Sequence, residues 1–114
     1  MEIGGREKQQ FHIIDIVGKI DRLKDSIVLK SYINSLVEKD VTHIALNLAQ
    51  VTYLDSGAVN VIIYGHTTLK KNGGILILIE PNEYVRDVLE VVGLLKLVKI
   101  FPTEEEFENE IQTF

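Results

Sequence analysis

Cysteine is absent from this sequence of 114 residues. The chain therefore has neither disulfide bonds nor thiolate metal ligands, as is usual in a reducing compartment such as the cytoplasm. Its three histidines, His12, His43 and His66, are far apart and lack the short spacings of metal-binding motifs. We therefore expect structural roles for the histidines, and neither a metal nor a cofactor.

Long apolar runs and clusters of positive charge are also missing. No stretch approaches the roughly 20 apolar residues of a membrane-spanning helix. The first residues lack the basic and apolar regions of a secretion signal, so we take Met1 to be close to the native start. The formal net charge is −5, and the 12 Lys and Arg residues are scattered. Because nucleic-acid binding needs basic residues that neutralise phosphates, this charge argues against it.

Three motifs of enzymes and nucleotide-binding proteins are absent as well. The chain has no Gly-x-x-x-x-Gly-Lys loop and no Gly-x-Gly-x-x-Gly, and no Gly-x-Ser-x-Gly elbow of a hydrolase. Its 46% apolar and 25% charged residues are ordinary proportions for a globular protein. The length predicts a single domain over residues 1–114.

Strand and helix patterns alternate along the chain. Strands are predicted at Phe11 to Val17, His43 to Leu48, Ile75 to Ile79 and Leu97 to Ile100, with an additional edge strand at residues 2–8. Four helices are predicted: one over the apolar positions 29–37 with Asp25 or Ser26 as its cap, one over residues 57–71, one from Pro81 to Gly93, and one that starts at Pro102 and Thr103.

This order predicts an α/β fold. A mixed, mostly parallel sheet of four to five strands should be flanked by about four helices. Partners of such sheets often bind the loops at the carboxyl ends of the strands. We expect residues 49–56 to form one of these loops.

One segment, residues 51–59, carries the residues of most chemical interest. It places Asp55 and Ser56 at the start of the second helix, where helix capping alone would explain both residues. A helix N-terminus also has free N–H groups and the positive end of the helix dipole, so a phosphate on Ser56 would be tolerated there. No general base is evident beside Ser56, which argues against a nucleophilic enzyme. A separate kinase would have to phosphorylate it.

The same helix has a second apolar set, Ala58, Val61 and Tyr64, spaced by three residues. A helical wheel places the set opposite the main apolar stripe, which predicts an exposed patch beside Ser56. Partner binding by this patch and its coverage by a neighbouring element explain the pattern equally well.

The sequence resembles the STAS (sulphate transporter and anti-sigma factor antagonist) domain from about Phe11 to Ile111. The resemblance depends on an ordered set of short segments, none of them specific alone. They are Gly18-Lys19-Ile20-Asp21, His43 to Leu48, Leu54-Asp55-Ser56, Asn72-Gly73-Gly74 and Val92-Gly93-Leu94. Within the family, the chain is most similar to the stand-alone bacterial anti-sigma factor antagonists.

The resemblance implies a partner-switching protein in transcription regulation. In these antagonists, the serine after the motif aspartate, here Ser56, is phosphorylated by an anti-sigma factor that is a serine kinase of the histidine-kinase-like ATPase fold. The unphosphorylated antagonist binds this kinase and releases a sigma factor, and phosphorylation ends the complex. We also expect a phosphatase partner and a cytoplasmic, non-enzymatic protein. With the helix pattern, the resemblance assigns partner contact to Asp21, Asp55, Gly57, Ala58, Val61 and Tyr64.

The motif departs from the usual Asp-Ser-Ser-Gly-Leu of the family. In Asp55-Ser56-Gly57-Ala58-Val59 the phosphoacceptor position is kept, but residue 57 has no hydroxyl and alanine replaces the family's glycine. Two other functions therefore stay open. One is a binding module of the same fold that is not phosphorylated. The other is a domain that binds a nucleotide or another small ligand.

Overall fold

A computed structural model describes residues 1–112, so the expected domain boundary at residue 114 lies outside the described residues. Five strands and four α-helices follow one another in this part of the chain. They are β1 (Glu2–Lys8), β2 (Phe11–Ile20), α1 (Leu23–Glu38), β3 (His43–Leu54), α2 (Ser56–Lys71), β4 (Ile75–Ile79), α3 (Glu83–Val91), β5 (Lys99–Phe101) and α4 (Glu104–Ile111). A 3₁₀ turn, Leu94–Lys96, lies between α3 and β5. Among residues 1–112, every helix is too short or too polar to span a bilayer.

The strands form one sheet in the order β1-β2-β3-β4-β5. β1 is antiparallel to β2, as a hairpin requires, and the other neighbouring strands are parallel. The predicted mixed, mostly parallel α/β fold is confirmed, and so is the edge strand at residues 2–8.

Helices cover both faces of the sheet. Successive side chains of β4 alternate between two buried clusters, because side chains along a strand point to opposite faces. Leu76 and Leu78 pack with residues of α1, α2 and α3. Ile77 and Ile79 pack with Phe107 and the rest of the α4 cluster. The sheet therefore has three helices on one face and α4 on the other.

Two sets of contacts hold α4 against the sheet, one in the middle of the helix and one at its first turn. The ring of Phe107 lies edge-on to Phe11 and Phe101, with centroids 5.1 and 5.5 Å apart. At the first turn, the guanidinium of Arg6 donates to Glu104 Oε1 at 2.6 Å and to Asp15 Oδ2 at 2.8 Å. These hydrogen bonds lower the pKa of both carboxyls below their ordinary values. β1 is thereby joined to β2 and to α4.

Two strands are longer than the sequence predicts. β2 continues through Gly18 to Ile20, and β3 continues to Leu54, so residues 49–54 form a strand where we expected a loop. Register shifts near Asp15 and Gly18 break the alternation of buried and exposed residues, which hides this part of the pairing from a period-2 search. Gly18 has φ +99°, a conformation that favours glycine.

Two helices and one strand also start at other residues than the sequence predicts. α1 begins at Leu23, after Arg22, so the expectation that Asp25 or Ser26 caps it is wrong. Both residues lie in the first turn and are buried, because this turn packs toward α2. α3 begins after the cap residue Asn82 rather than at Pro81, and β5 begins at Lys99 rather than Leu97.

The Arg6 ion pairs predict an acid-dependent stability. Arg6→Gln should lower the free energy of unfolding at pH 7 by about 1 kcal/mol, since the side chains are partly exposed. The unfolded carboxyls titrate near ~4 and the folded ones lower, so the contribution is present above pH ~4. It is lost as the pH falls through the folded pKa values. The difference between wild type and Arg6→Gln should therefore shrink toward pH ~2.

Urea unfolding at several pH values measures this difference. Arg86→Gln is the control, because Arg86 is exposed and has no ion pair with any residue that the structure describes. A difference for Arg6→Gln that stays constant down to pH ~2 would contradict the assignment.

Candidate functional site

The carboxyl ends of β2 and β3 bring two aspartates to one edge of the sheet. Ile20 pairs with Leu54 as the last residues of the two strands. The N–H of Asp55 donates to the Ile20 carbonyl at 3.0 Å. Asp21 and Asp55, which directly follow the paired residues, therefore lie at the same edge.

Asp55 caps α2 and sets the position of Ser56. Its backbone is extended (φ −96°, ψ −177°), and its Oδ1 accepts from the Ala58 N–H at 2.9 Å. Ser56 is the first residue of α2 and is exposed. The N–H groups at the start of a helix have no partner within the helix, so they are available to an anion at Ser56.

One open depression adjoins this helix start, and a second lies next to it at the start of α1. One, of about 510 Å³, is lined by Lys19, Asp21, Thr52, Tyr53 and Asp55. The other, of about 450 Å³, shares Lys19 and Asp21 and extends along the start of α1. Ligand pockets for small molecules are usually enclosed and largely apolar. The open, charged shape here is better suited to contact with a macromolecule.

Exposed apolar side chains surround the same edge. Leu23, two residues after Asp21, is 78% exposed, and Ile27 lies one turn further along α1 and is 55% exposed. Across the edge, Tyr53 stacks on Tyr84 with ring centroids 6.0 Å apart. We did not single out these residues from the sequence, because a single exposed apolar residue carries no pattern.

The predicted exposed patch of Ala58, Val61 and Tyr64 is wrong. Ala58 is fully buried, Val61 is 6% exposed, and Tyr64 is half-buried. The Tyr64 hydroxyl donates to Asn34 of α1, and Lys30 of α1 lies 4.4 Å above its ring centroid. α2 is thus covered by the sheet on one side and by α1 on another, so the alternative of coverage by a neighbouring element is correct.

Gly57 is required by close contact between the first turns of α1 and α2. A Cβ at this position would lie 2.8 Å from Ser26 Oγ and 3.2 Å from Asp55 Oδ1, closer than ordinary van der Waals contact. A residue with a side chain would displace the Ser26 hydroxyl. The serine of the usual family motif would therefore require Ser26 to move if it stood at position 57.

Ser26 is itself unusual. It is 7% exposed, and its Oγ is the only buried side-chain nitrogen or oxygen among residues 1–112 without a hydrogen-bond partner. A buried hydroxyl left unpaired costs about 1–3 kcal/mol. The sequence suggested only a cap at this position, and its burial arises from packing between elements distant in sequence.

One family model, the STAS domain, matches residues 5–107 of the sequence. The chain belongs to the STAS domain family. Among curated proteins, this STAS domain is 23% identical over 100 residues to the anti-sigma F factor antagonist of Paenibacillus polymyxa. The match covers 88% of this chain and 86% of that protein.

Solved structures show the same fold. TM1081 of Thermotoga maritima, described as a candidate anti-sigma factor antagonist, matches with a TM-score of 0.85 and 24% identity, over 96% of this chain and 94% of that one. The unphosphorylated form of the anti-sigma factor antagonist SpoIIAA matches with a TM-score of 0.80 and 19% identity, over 99% of this chain and 100% of that one. Its phosphorylated form, from Bacillus, gives 0.76 and 20%, over 96% and 99%.

The capping role of Asp55 can be tested with two substitutions. Asp55→Asn should change the free energy of unfolding little, because asparagine is an equally good N-cap. Asp55→Ala should lower it by about 1 kcal/mol, because the Ala58 N–H loses its acceptor. Urea unfolding of the purified proteins measures both.

Thr103→Ala serves as the control, since Thr103 caps α4 through the Glu106 N–H and lies outside the depression beside α2. It should lose a similar amount. Equal losses for Asp55→Asn and Asp55→Ala would show that the charge of Asp55, and not its cap geometry, stabilises the fold.

Proposed function

We propose that this STAS domain is an anti-sigma factor antagonist whose partner binding is switched off by phosphorylation of Ser56. In the unphosphorylated state it binds an anti-sigma factor that is also a serine kinase of the histidine-kinase-like ATPase fold, and a sigma factor is released. A phosphatase restores the binding state. The named relative and the two forms of SpoIIAA support this proposal. Since sigma factors act inside the cell, the proposal places the protein in the cytoplasm.

The observation that carries the proposal is the setting of Ser56. Its side chain is exposed at the first position of α2, between the Asp55 cap and the Asp21 edge. In the reaction, the γ-phosphoryl group of ATP passes to Ser56 Oγ, the hydroxyl proton goes to a base of the kinase, and ADP leaves. The antagonist supplies only the acceptor, in a fixed position.

The partner surface consists of the edge around Ser56. We assign partner contact to Asp21 and Asp55, together with Lys19, Thr52 and Tyr53 of the same depression. The exposed side chain of Leu23 adds an apolar contact, and interfaces commonly combine apolar and aromatic centres with a polar rim. Because Ala58 and Val61 are buried, we now assign to them the placement of α2 and not contact with the partner.

Release follows from the charge of the phosphoryl group. In the free protein, the start of α2 tolerates an anion, because its N–H groups and dipole face it. In the complex, about −1.5 to −2 charges would lose hydration next to Asp55 and Asp21. The phosphoryl group therefore destabilises the complex and not the fold of the free protein.

Ser56→Ala tests the acceptor. Incubation of wild type with the cognate kinase and ATP, followed by intact mass measurement, should show one added phosphoryl group, and Ser56→Ala should show none. Thr67→Ala is the control, because Thr67 is an exposed hydroxyl residue of α2 outside the depression, and it should be phosphorylated like wild type. Stoichiometric phosphorylation of Ser56→Ala would exclude Ser56 as the site. An unmodified wild type would favour the constitutive binding module.

Ser56→Asp tests the release mechanism. The variant should fold normally and bind the kinase more weakly by about 30-fold or more, since an unpaired charge buried at an interface commonly costs ~2–5 kcal/mol. Aspartate carries less charge than phosphoserine, so the effect should fall short of that of phosphorylation.

Thr67→Asp is the matched control, because it adds the same charge on an exposed position of α2, about 16 Å along the helix. Titration calorimetry gives the affinities and circular dichroism checks the fold. Equal affinity of the well-folded Ser56→Asp and wild type would remove the electrostatic mechanism.

A further inference from the structure

We propose that the buried hydroxyl of Ser26 is part of the site that binds the phosphoryl group of phosphorylated Ser56. The inference rests on the proposed function, and it adds a residue of α1 to a site otherwise formed by the first turn of α2. The ligand is a tetrahedral oxyanion covalently attached to Ser56.

The first observation is the unused donor. Ser26 is 7% exposed, and its Oγ has no hydrogen-bond partner among the described residues. A serine within a helix usually bonds the carbonyl four residues earlier. That carbonyl, of Arg22, accepts instead from the backbone N–H groups of Asp25 and Ser26. The hydroxyl of Ser26 is therefore free to donate to another acceptor.

The second observation is the direction of this hydroxyl. Ser26 Oγ lies against Gly57, at 2.8 Å from the position that a Cβ would occupy, and Gly57 directly follows Ser56. The N–H of Ala58 donates to Asp55 Oδ1. The N–H groups of Ser56 and Gly57, at the start of the helix, therefore remain available as donors. Two backbone donors and one side-chain donor thus lie beside one exposed serine.

A phosphoryl group fits this arrangement. It carries three strong acceptor oxygens, and hydrogen bonds to a charged acceptor are stronger than those between neutral groups. The charged side chains that line the two depressions are Lys19, Asp21, Arg22, Lys24, Asp25 and Asp55. Since these cations and anions are equal in number, the free donors are what favours the phosphoryl group at this position. Ser26 reaches it by turning its hydroxyl from Gly57 toward Ser56.

The test compares Ser26→Ala in two forms of the protein. Phosphoserine is installed at position 56 during translation, so no kinase is needed. In the unmodified protein, Ser26→Ala should leave the melting temperature unchanged or raise it by roughly 2–5 °C, because an unpaired buried hydroxyl is removed. In the phosphorylated protein, the same substitution should lower the melting temperature by roughly 2–5 °C. A purely structural role would give the same sign in both forms.

A second readout is the phosphoserine itself. ³¹P NMR titration should give a higher second pKa for phosphoserine 56 in Ser26→Ala than in wild type, by about half a unit or more, because a donor to the dianion is lost. The charged side chains named above are unchanged, so the comparison isolates Ser26. Ser31→Ala, on an exposed position of α1, is the control and should change neither readout.

Equal phosphoserine pKa values in wild type and Ser26→Ala, or a melting-temperature change of one sign in both forms, would overturn the inference. Because the phosphoserine is installed without the kinase, a kinase that ignores Ser56 would contradict the proposed function and leave this result standing.

Discussion

The parallel pairing of β2 with β3 is the constraint on which the site depends. It continues past two register shifts to Ile20 and Leu54, and the Asp55 N–H closes it by donating to the Ile20 carbonyl. β3 therefore ends at a fixed point, where Asp55 turns the chain into α2. Because the end of β3 and the cap of α2 meet in Asp55, the exposed Ser56 directly follows a residue that is hydrogen-bonded to both elements.

Charge is distributed over two separate parts of the molecule. On the α4 face of the sheet, Arg6 neutralises Asp15 and Glu104 and joins three elements. At the edge beside α2, the carboxylates of Asp21 and Asp55 have no such arginine among the described salt bridges. The first set of charges stabilises the fold. In the proposed function, the second set contacts the partner, and one negative charge added at Ser56 would lie beside it.

Much of the fold follows from local sequence patterns, because each apolar run or stripe reports the burial of its own element. The run Ile75 to Ile79 and the cap at Asp55 were both predictable in this way. The expectations that the structure contradicts concern packing between elements. A helical wheel does not show whether a second apolar face contacts solvent or another helix. The wheel therefore predicts an exposed Val61, which is buried in the structure. Likewise, only the approach of α1 to α2 buries Ser26 against Gly57.

In the proposed function, phosphorylation of Ser56 controls the release of a sigma factor. The most direct measurement follows the fluorescence anisotropy of a labelled sigma factor bound to its anti-sigma factor kinase, without ATP, during titration with this protein. We expect the unmodified protein to lower the anisotropy to that of the free sigma factor, and protein carrying phosphoserine at position 56 not to lower it. Equal displacement by both forms would contradict it.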